Sequence, residues 1–184
     1  MSYVGSNPCL ETTINTNTTK KYTHYYDINA NEPDWKLIWP QLVEEVPAII
    51  EASGVEVTDH NGAEYNQRHG EIYYCDFDED QGEGIYRIIP FPIVDVEKGI
   101  WINGIGNDAH YPFIMEDEGW AFDRSVQTVH KPYDDVVTCI LLRAFMLAPQ
   151  ACRISSDGDW DEWEPARSIY RHLFDEEPEC PWRN

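Results

Sequence analysis

From Asp134 to Leu147 the chain reads DDVVTCILLRAFML, and its apolar residues cover most of the circumference of an α-helix. A helix that is apolar on nearly every side has to be enclosed by other elements. The remaining segments must therefore form a shell around it. Pro132 just before the stretch, Asp134 and Asp135 in its first turn, and Pro149 beyond its end mark a helix over 133–147. Val136, Val137, Ile140, Leu141, Leu142, Ala144, Phe145 and Leu147 are its expected core residues.

Two further helices are predicted. Trp35, Ile38, Trp39, Leu42, Val43, Val46, Ile49 and Ile50 recur with helical spacing over 34–53, between Pro33 and Gly54. Pro40 and Pro47 each remove a helical hydrogen bond, so the expectation is one kinked helix or two short ones, the second starting at Pro40. An amphipathic helix is expected over 164–174, burying Ile169, Tyr170, Leu173 and Phe174. Strand-like segments lie between the first two helices: 55–58, 71–78, 85–92, 99–103, 111–115 and 120–128. The acidic loop DEDQGEG turns the second of these into the third as a hairpin. A short strand at 152–156 follows the central helix. Strands grouped between helices predict an α+β fold. In it, an antiparallel sheet of hairpins and meander (about residues 55–128) packs on an N-terminal kinked helix and two C-terminal helices. A length of 184 residues suits a single domain, with residues 1–20, rich in Asn and Thr, as a loose arm or an edge strand.

Charge is the outlying quantity. Thirty-four acidic residues against thirteen basic ones leave a net charge of −21, divided almost evenly between the two halves of the chain. Such a surface repels nucleic acid and anionic membranes and steers cationic partners towards itself. No apolar run approaches the roughly 18 residues of a membrane helix, and the N-terminus lacks the apolar core of a signal peptide. The five cysteines are odd in number, widely spaced and free of any CxxC pair, which points to reduced thiols and a cytoplasmic location. Scarce Lys and abundant acid also fit adaptation to high salt, although the large aromatic content does not.

Chemical motifs are few. Gly104-Ile105-Gly106-Asn107-Asp108-Ala109 matches the spacing of a dinucleotide-binding loop, but an extended HYPFI follows where a helix should open, so a glycine turn is expected. Asp157, Asp159 and Asp161, like Asp76, Asp78 and Asp80, alternate as in a calcium loop. Neither series has the glycine and glutamate an EF-hand requires further on. The first series reads as an Asp-rich turn capping the last helix, or as a looser site for a divalent cation. His110 beside Asp108 has the composition of a general base and its orienter. Cys152 before Arg153 is a weak candidate for a reactive thiol. Asp134 and Asp135 suit the helix dipole better than a catalytic pair. Trp160 and Trp163 in GDWDEWEP either pack on the core or anchor a partner. No catalytic residue, metal ligand or cofactor is assigned.

The stretch KPYDDVVTCILLRAFMLAP, with CRISSDGDWDEWEPARSIYRHLF after it and GIGNDAHYPFIM before it, resembles small uncharacterised proteins encoded by phages and plasmids. The resemblance implies a mobile-element origin and brings no activity with it. The expected function is that of an acidic, non-enzymatic interaction protein: an inhibitor or nucleic-acid mimic directed at a cationic, nucleic-acid-handling or defence protein of a host. It would bind neither nucleic acid nor membrane itself. The candidate contact residues are Asp76, Asp78, Glu79, Asp80 and Glu83 of the hairpin, Glu116, Asp117 and Glu118, and Asp157, Asp159, Trp160, Asp161, Glu162 and Trp163. The alternative is a small metal-dependent hydrolase using Asp157, Asp159 and Asp161.

Overall fold

A computed structural model describes residues 22–60, 75–78, 83–86, 90–118 and 124–182, the two short segments at 75–78 and 83–86 by their backbone. It is an α+β fold. In chain order the elements are β1 (Thr23–Ile28), α1 (Pro33–Ser53), β2 (Cys75–Asp78), β3 (Glu83–Tyr86), β4 (Ile93–Asp95), β5 (Gly99–Ile102), β6 (Phe113–Met115), β7 (Ser125–Gln127), α2 (Asp134–Leu147), β8 (Cys152–Ser156) and α3 (Glu164–Phe174).

The central position of α2 follows from its composition. Val136, Val137, Cys139, Ile140, Leu141, Leu142 and Ala144 are all buried, enclosed by α1, α3 and a sheet. Helix α1 buries Trp35, Trp39, Leu42, Val43, Val46 and Ile49 along one stripe. It runs unbroken for 21 residues, which corrects the expectation of a kink or of two helices. Pro40 and Pro47 are seven residues apart and both exposed. They therefore lie on one solvent-facing side, where water can satisfy the carbonyls they leave unpaired. Gly54 ends the helix in the left-handed conformation, its N–H bonded to the Glu51 carbonyl. Helix α3 spans the predicted residues and buries Ala166 and Tyr170, with Ile169, Leu173 and Phe174 packed at the margin of the core.

The strands do not form one sheet. Strands β4, β5 and β6 make an antiparallel meander, and β2 and β3 a separate hairpin pairing Asp78 with Glu83. Strand β7 leaves the meander to pair with β1, and β8 pairs with the other side of β1. The segment Val55–Thr58, expected as a strand, contributes a single bridge between Thr58 and Asn103. The parts of the expected strands at 71–74, 87–89 and 120–123 lie outside the described residues, as does the N-terminal arm. Strand β1 was not foreseen, yet it is the middle of its sheet. His24, Tyr26 and Ile28 turn inward, opposite Ser156, Ile154 and Cys152 of β8, while Tyr25 stays exposed. The Tyr26 hydroxyl donates to the Ile114 carbonyl at 2.8 Å and so ties this sheet to the meander.

One ion pair joins the three helices. Arg143 of α2 donates from Nε and Nη2 to the two carboxylate oxygens of Glu45 of α1, at 2.6 and 2.8 Å. Its third nitrogen reaches the Tyr170 hydroxyl, and its guanidinium lies 3.9 Å from the centre of the Phe174 ring. Burial would push the Glu45 carboxyl up, but hydrogen bonds from Arg143 and Gln41 and the guanidinium charge outweigh it and hold the group below its ordinary range. Because the folded pKa is below the unfolded one, this contribution is present at neutral pH and is lost as pH falls through the folded value. Arg143→Met should lower the unfolding free energy by about 3 kcal/mol in urea titrations at neutral pH. The difference from the unaltered protein should shrink below the carboxylate range.

Candidate functional site

The inner face of β1 carries a polar chain into the core. His24 is fully buried. Its Nε2 lies 2.7 Å from Asp134 Oδ1 at the start of α2, and its Nδ1 lies 3.0 Å from Ser156 Oγ at the end of β8. The Thr128 hydroxyl donates to the same Asp134 oxygen at 2.5 Å, and the Gly158 N–H donates to Ser156 Oγ at 2.9 Å. The donors and acceptors close if His24 carries its proton on Nε2 and the Ser156 hydroxyl donates to Nδ1. Serine, histidine and aspartate are thus in contact, in the composition of a nucleophilic triad. The imidazole is enclosed, however, with Tyr22 and Trp163 meeting it edge-on at 4.9 and 5.1 Å between ring centres. A substrate has no approach to His24 in this arrangement, and the chain serves as a polar weld between the sheet and α2. Removing Asp134 strands two buried donors, so Asp134→Ala should destabilise the fold by about 3 kcal/mol in chemical denaturation.

Beside this weld the acids gather. Tyr22 is fully buried, and its hydroxyl has no hydrogen-bond partner among the described residues. Burial raises its pKa, and the negative charges of Asp134, Glu162, Asp135 and Asp159 raise it further. Gly158 lets the ring sit this close. A Cβ at that position would stand 2.4 Å from Tyr22 Cε2, and 3.0 Å from both Tyr22 Cζ and Glu162 Oε2. The other face of Tyr22 is covered by His130, with ring centres 3.6 Å apart and planes 28° from parallel. His130 Nε2 lies 3.9 Å from Glu162 Oε1. The turn that delivers His130 is strained. Val129 and His130 have φ of 47° and 59°, and Lys131 N–H bonds to the Thr128 carbonyl at 3.0 Å. This is the conformation in which Asn-Gly is preferred, and a β-branched residue is rare there.

The Asp-rich turn caps α3. Asp159 Oδ1 accepts the amides of Asp161 and Glu162 at 3.0 Å each, and Glu162 Oε2 accepts the Asp159 amide at 2.8 Å. These reciprocal bonds are a capping box leading through a 3₁₀ turn into the helix. Asp157 receives only a long contact from the Tyr25 hydroxyl, at 3.5 Å. Trp163 is buried, 1% exposed, and so is not free to anchor a partner. Trp160 is half-buried beneath the Arg167 guanidinium, 4.6 Å from the ring centre, and against Trp182. Glu116, Asp117 and Glu118 follow β6, where the Asp117 carbonyl accepts from Trp35 Nε1. No hydrogen bond or ion pair between them and the 157–162 turn is seen among the described residues. Asp76, Asp78 and Glu83 are placed by backbone alone, and Glu79 and Asp80 lie outside the described residues.

The other candidates resolve differently. Residues 104–110 form a loop clamped by the Asn103 side chain, with a 3₁₀ turn at Gly106–Asp108, so no dinucleotide-binding helix opens there. His110 Nδ1 is 2.7 Å from the Gln127 carbonyl, so this ring nitrogen serves the loop and not Asp108. Asp134 is the buried partner of His24. The Asp135 carboxyl is pushed up by burial and by Asp134, so the pair does more than offset a helix dipole. Among the described residues, no three His, Cys, Asp or Glu side chains are grouped to hold a metal ion.

Tyr22, His24, Thr128, His130 and Ser156 were missed as site residues. The alternation of YTHYYDI, aromatic and β-prone, was the available signal for β1 and hence for His24. No family model, curated protein or solved structure matches the chain. The candidate thiol Cys152 is buried in β8, which pushes its pKa up to about 12; burial likewise pushes Cys139 up to about 12. Both should stay unlabelled by iodoacetamide at pH 8 until denaturant is added, whereas Cys180 at the half-exposed C-terminal tail should react at once, as read by peptide mass spectrometry.

Proposed function

We propose that the protein works by protein–protein contact, offering its acidic surface to a cationic partner as an inhibitor or nucleic-acid decoy. The target would be a host enzyme or defence protein that handles nucleic acid, and the resemblance to phage- and plasmid-encoded proteins supports a mobile-element origin. One observation carries the reading. Asp135 from the start of α2 and Asp159 and Glu162 from the capping turn all act by their charge on the phenol of Tyr22, as does Asp134, which is buried against His24 and not itself open to a partner. Carboxylates at this spot are concentrated in space, as mimicry of phosphates requires, and not merely frequent in the sequence.

The placement of the cations supports it further. Arg143 is held by Glu45, Arg124 by Asp27, and Arg167 and Arg171 by Glu164 and Glu177. These arginines neutralise other parts of the molecule, and none is paired with Asp135, Asp157, Asp159 or Glu162. A cationic groove that binds phosphates cannot separate them from well-placed carboxylates by charge alone, and such binding is fast and salt-sensitive. No observation favours the hydrolase alternative, since the Asp159 carboxylate already serves two amides of its own turn.

The test is a pull-down with tagged protein from bacterial lysate, at about 0.05 M and about 0.5 M salt, where the screening length falls roughly threefold. The expected outcome is recovery of a DNA- or RNA-handling protein at low salt, lost at high salt and displaced by added duplex DNA. A partner retained at high salt and indifferent to DNA would point to an apolar interface instead. Recovery of nothing specific from lysates of several hosts would sink the decoy.

A further inference from the structure

The outward face of the sheet β7–β1–β8 carries an open cleft of about 450 Å³, lined by Tyr25 and Asp27 of β1, Arg153 and Ser155 of β8, and Arg124 just before β7. That volume lies in the range of small-molecule sites. In the β1–β8 register Tyr25 stands opposite Ser155, and Asp27 opposite Arg153. Residues opposed in this way share one face of a sheet, so Asp27 is placed to pair with Arg153. The Asp27 carboxylate is held instead by Arg124, Nη1 to Oδ1 at 2.7 Å. Arg153 is exposed and has no ion pair or side-chain hydrogen bond among the described residues, whereas Arg124, Arg143, Arg167 and Arg171 are all paired. In a chain with 34 acidic against 13 basic residues, acids to neutralise it are plentiful. A cation left over at the wall of a cleft is therefore a departure from the pattern of the whole molecule.

We propose that this cleft binds a small planar carboxylate, with its carboxylate on Arg153 and its ring on Tyr25. The inference is independent of the interaction reading, since its ligand carries the opposite charge to that partner. Arg153 presents a planar fork of donors that fits the two oxygens of a carboxylate. Tyr25 is 44% exposed and lies two residues along β1 from Asp27, the residue opposite Arg153. In an extended strand that step is roughly 7 Å, the reach from a carboxylate to the ring that bears it. A ring there stacks on the phenol, and the Ser155 hydroxyl lies directly across from it. The charge of the cleft selects a monoanion. Two guanidinium groups against the Asp27 carboxylate leave one positive charge, which matches a carboxylate and not a phosphate dianion. Asp157 opposes a second negative charge from the other end, where its Oδ1 lies 3.5 Å from the Tyr25 hydroxyl.

The experiment is a titration of the isotope-labelled full chain with naphthoate, its uncharged amide and naphthyl phosphate at about 0.05 M salt, followed by the backbone amide shifts in NMR spectra. It is run on the unaltered protein and on Arg153→Gln, Tyr25→Leu and, as a control for charge away from the cleft, Lys98→Gln. Naphthoate should bind with a Kd of about 1 mM, the affinity expected of a ligand this small, and should shift the amides of Tyr25, Asp27, Arg153 and Ser155 most. Arg153→Gln should weaken it by about tenfold or more, and Tyr25→Leu by about three- to tenfold. Lys98→Gln should change nothing. Arg153 is exposed and unpaired among the described residues, so its variant should keep the melting temperature of the unaltered protein. Shifts scattered over the surface, no saturation by about 10 mM, or a loss in Arg153→Gln no larger than in Lys98→Gln would each overturn the site. Equal binding of the amide overturns the role of the charge, and tighter binding of the phosphate overturns the match to a monoanion.

Discussion

The hydrogen bond between His24 and Asp134 is the contact on which the architecture turns. It joins the middle strand of a sheet to the first turn of the helix at the centre of the core, across 110 residues of chain. Burying a carboxylate is costly unless its oxygens are satisfied. Here two donors, His24 and Thr128, converge on one oxygen. Their arrangement requires β1, the β7–α2 turn and α2 to be in register together. Ser156 extends the same chain to β8, so both neighbours of β1 are keyed to its inward histidine. Misplacing any one of these elements would leave a buried polar group unpaired, which gives the fold a specificity that apolar packing alone does not provide.

A chain with this much negative charge must also control its own repulsion. It places most of its described arginines where elements meet: Arg143 between the three helices, and Arg167 and Arg171 along α3 against Glu164 and Glu177. Exposed pairs of this kind add little stability individually. Their effect is to decide where charge is left over. Among the described residues, none of these arginines is paired with Asp135, Asp157, Asp159 or Glu162 at the end that holds Tyr22.

At that same end the local rules of the sequence are broken. Natural sequences tend to agree with their folds at every level, and departures concentrate where something other than stability is served. Val129 and His130 are poor residues for the turn they occupy, and Tyr22 is a poor residue for a dry site. The departures adjoin one another around a single ring, while the helices α1, α2 and α3 obey their expected patterns almost throughout. This contrast separates the part of the molecule that builds the fold from a part whose residues stability alone does not explain.

The helices were legible because their signal is local. Apolar spacing, proline and glycine positions and the acids of a first turn all lie within one segment, and α2 and α3 emerge with nearly the predicted bounds. The continuity of α1 through Pro40 and Pro47 was not legible, since it depends on which side of the helix meets water. Strand β1 was legible only as an alternation; β7 and β8 were expected as strands at 120–128 and 152–156, but their pairing with β1 was not legible. Pairing β1 with β7 and β8 brings together residues 100 or more positions apart, and no short-range pattern encodes a partner at that distance. The acidity was plain in the composition, but its concentration around Tyr22 was not. Asp134 and Asp135 act on the same phenol as Asp159 and Glu162 only because the start of α2 and the capping turn of α3 both come near Tyr22, just before β1. By itself the sequence determined the helical segments, the α+β class and the sign of the surface. The tertiary structure decided the strand order, the buried histidine and the place where the charge converges, because each depends on contacts between distant segments that only the packed core enforces.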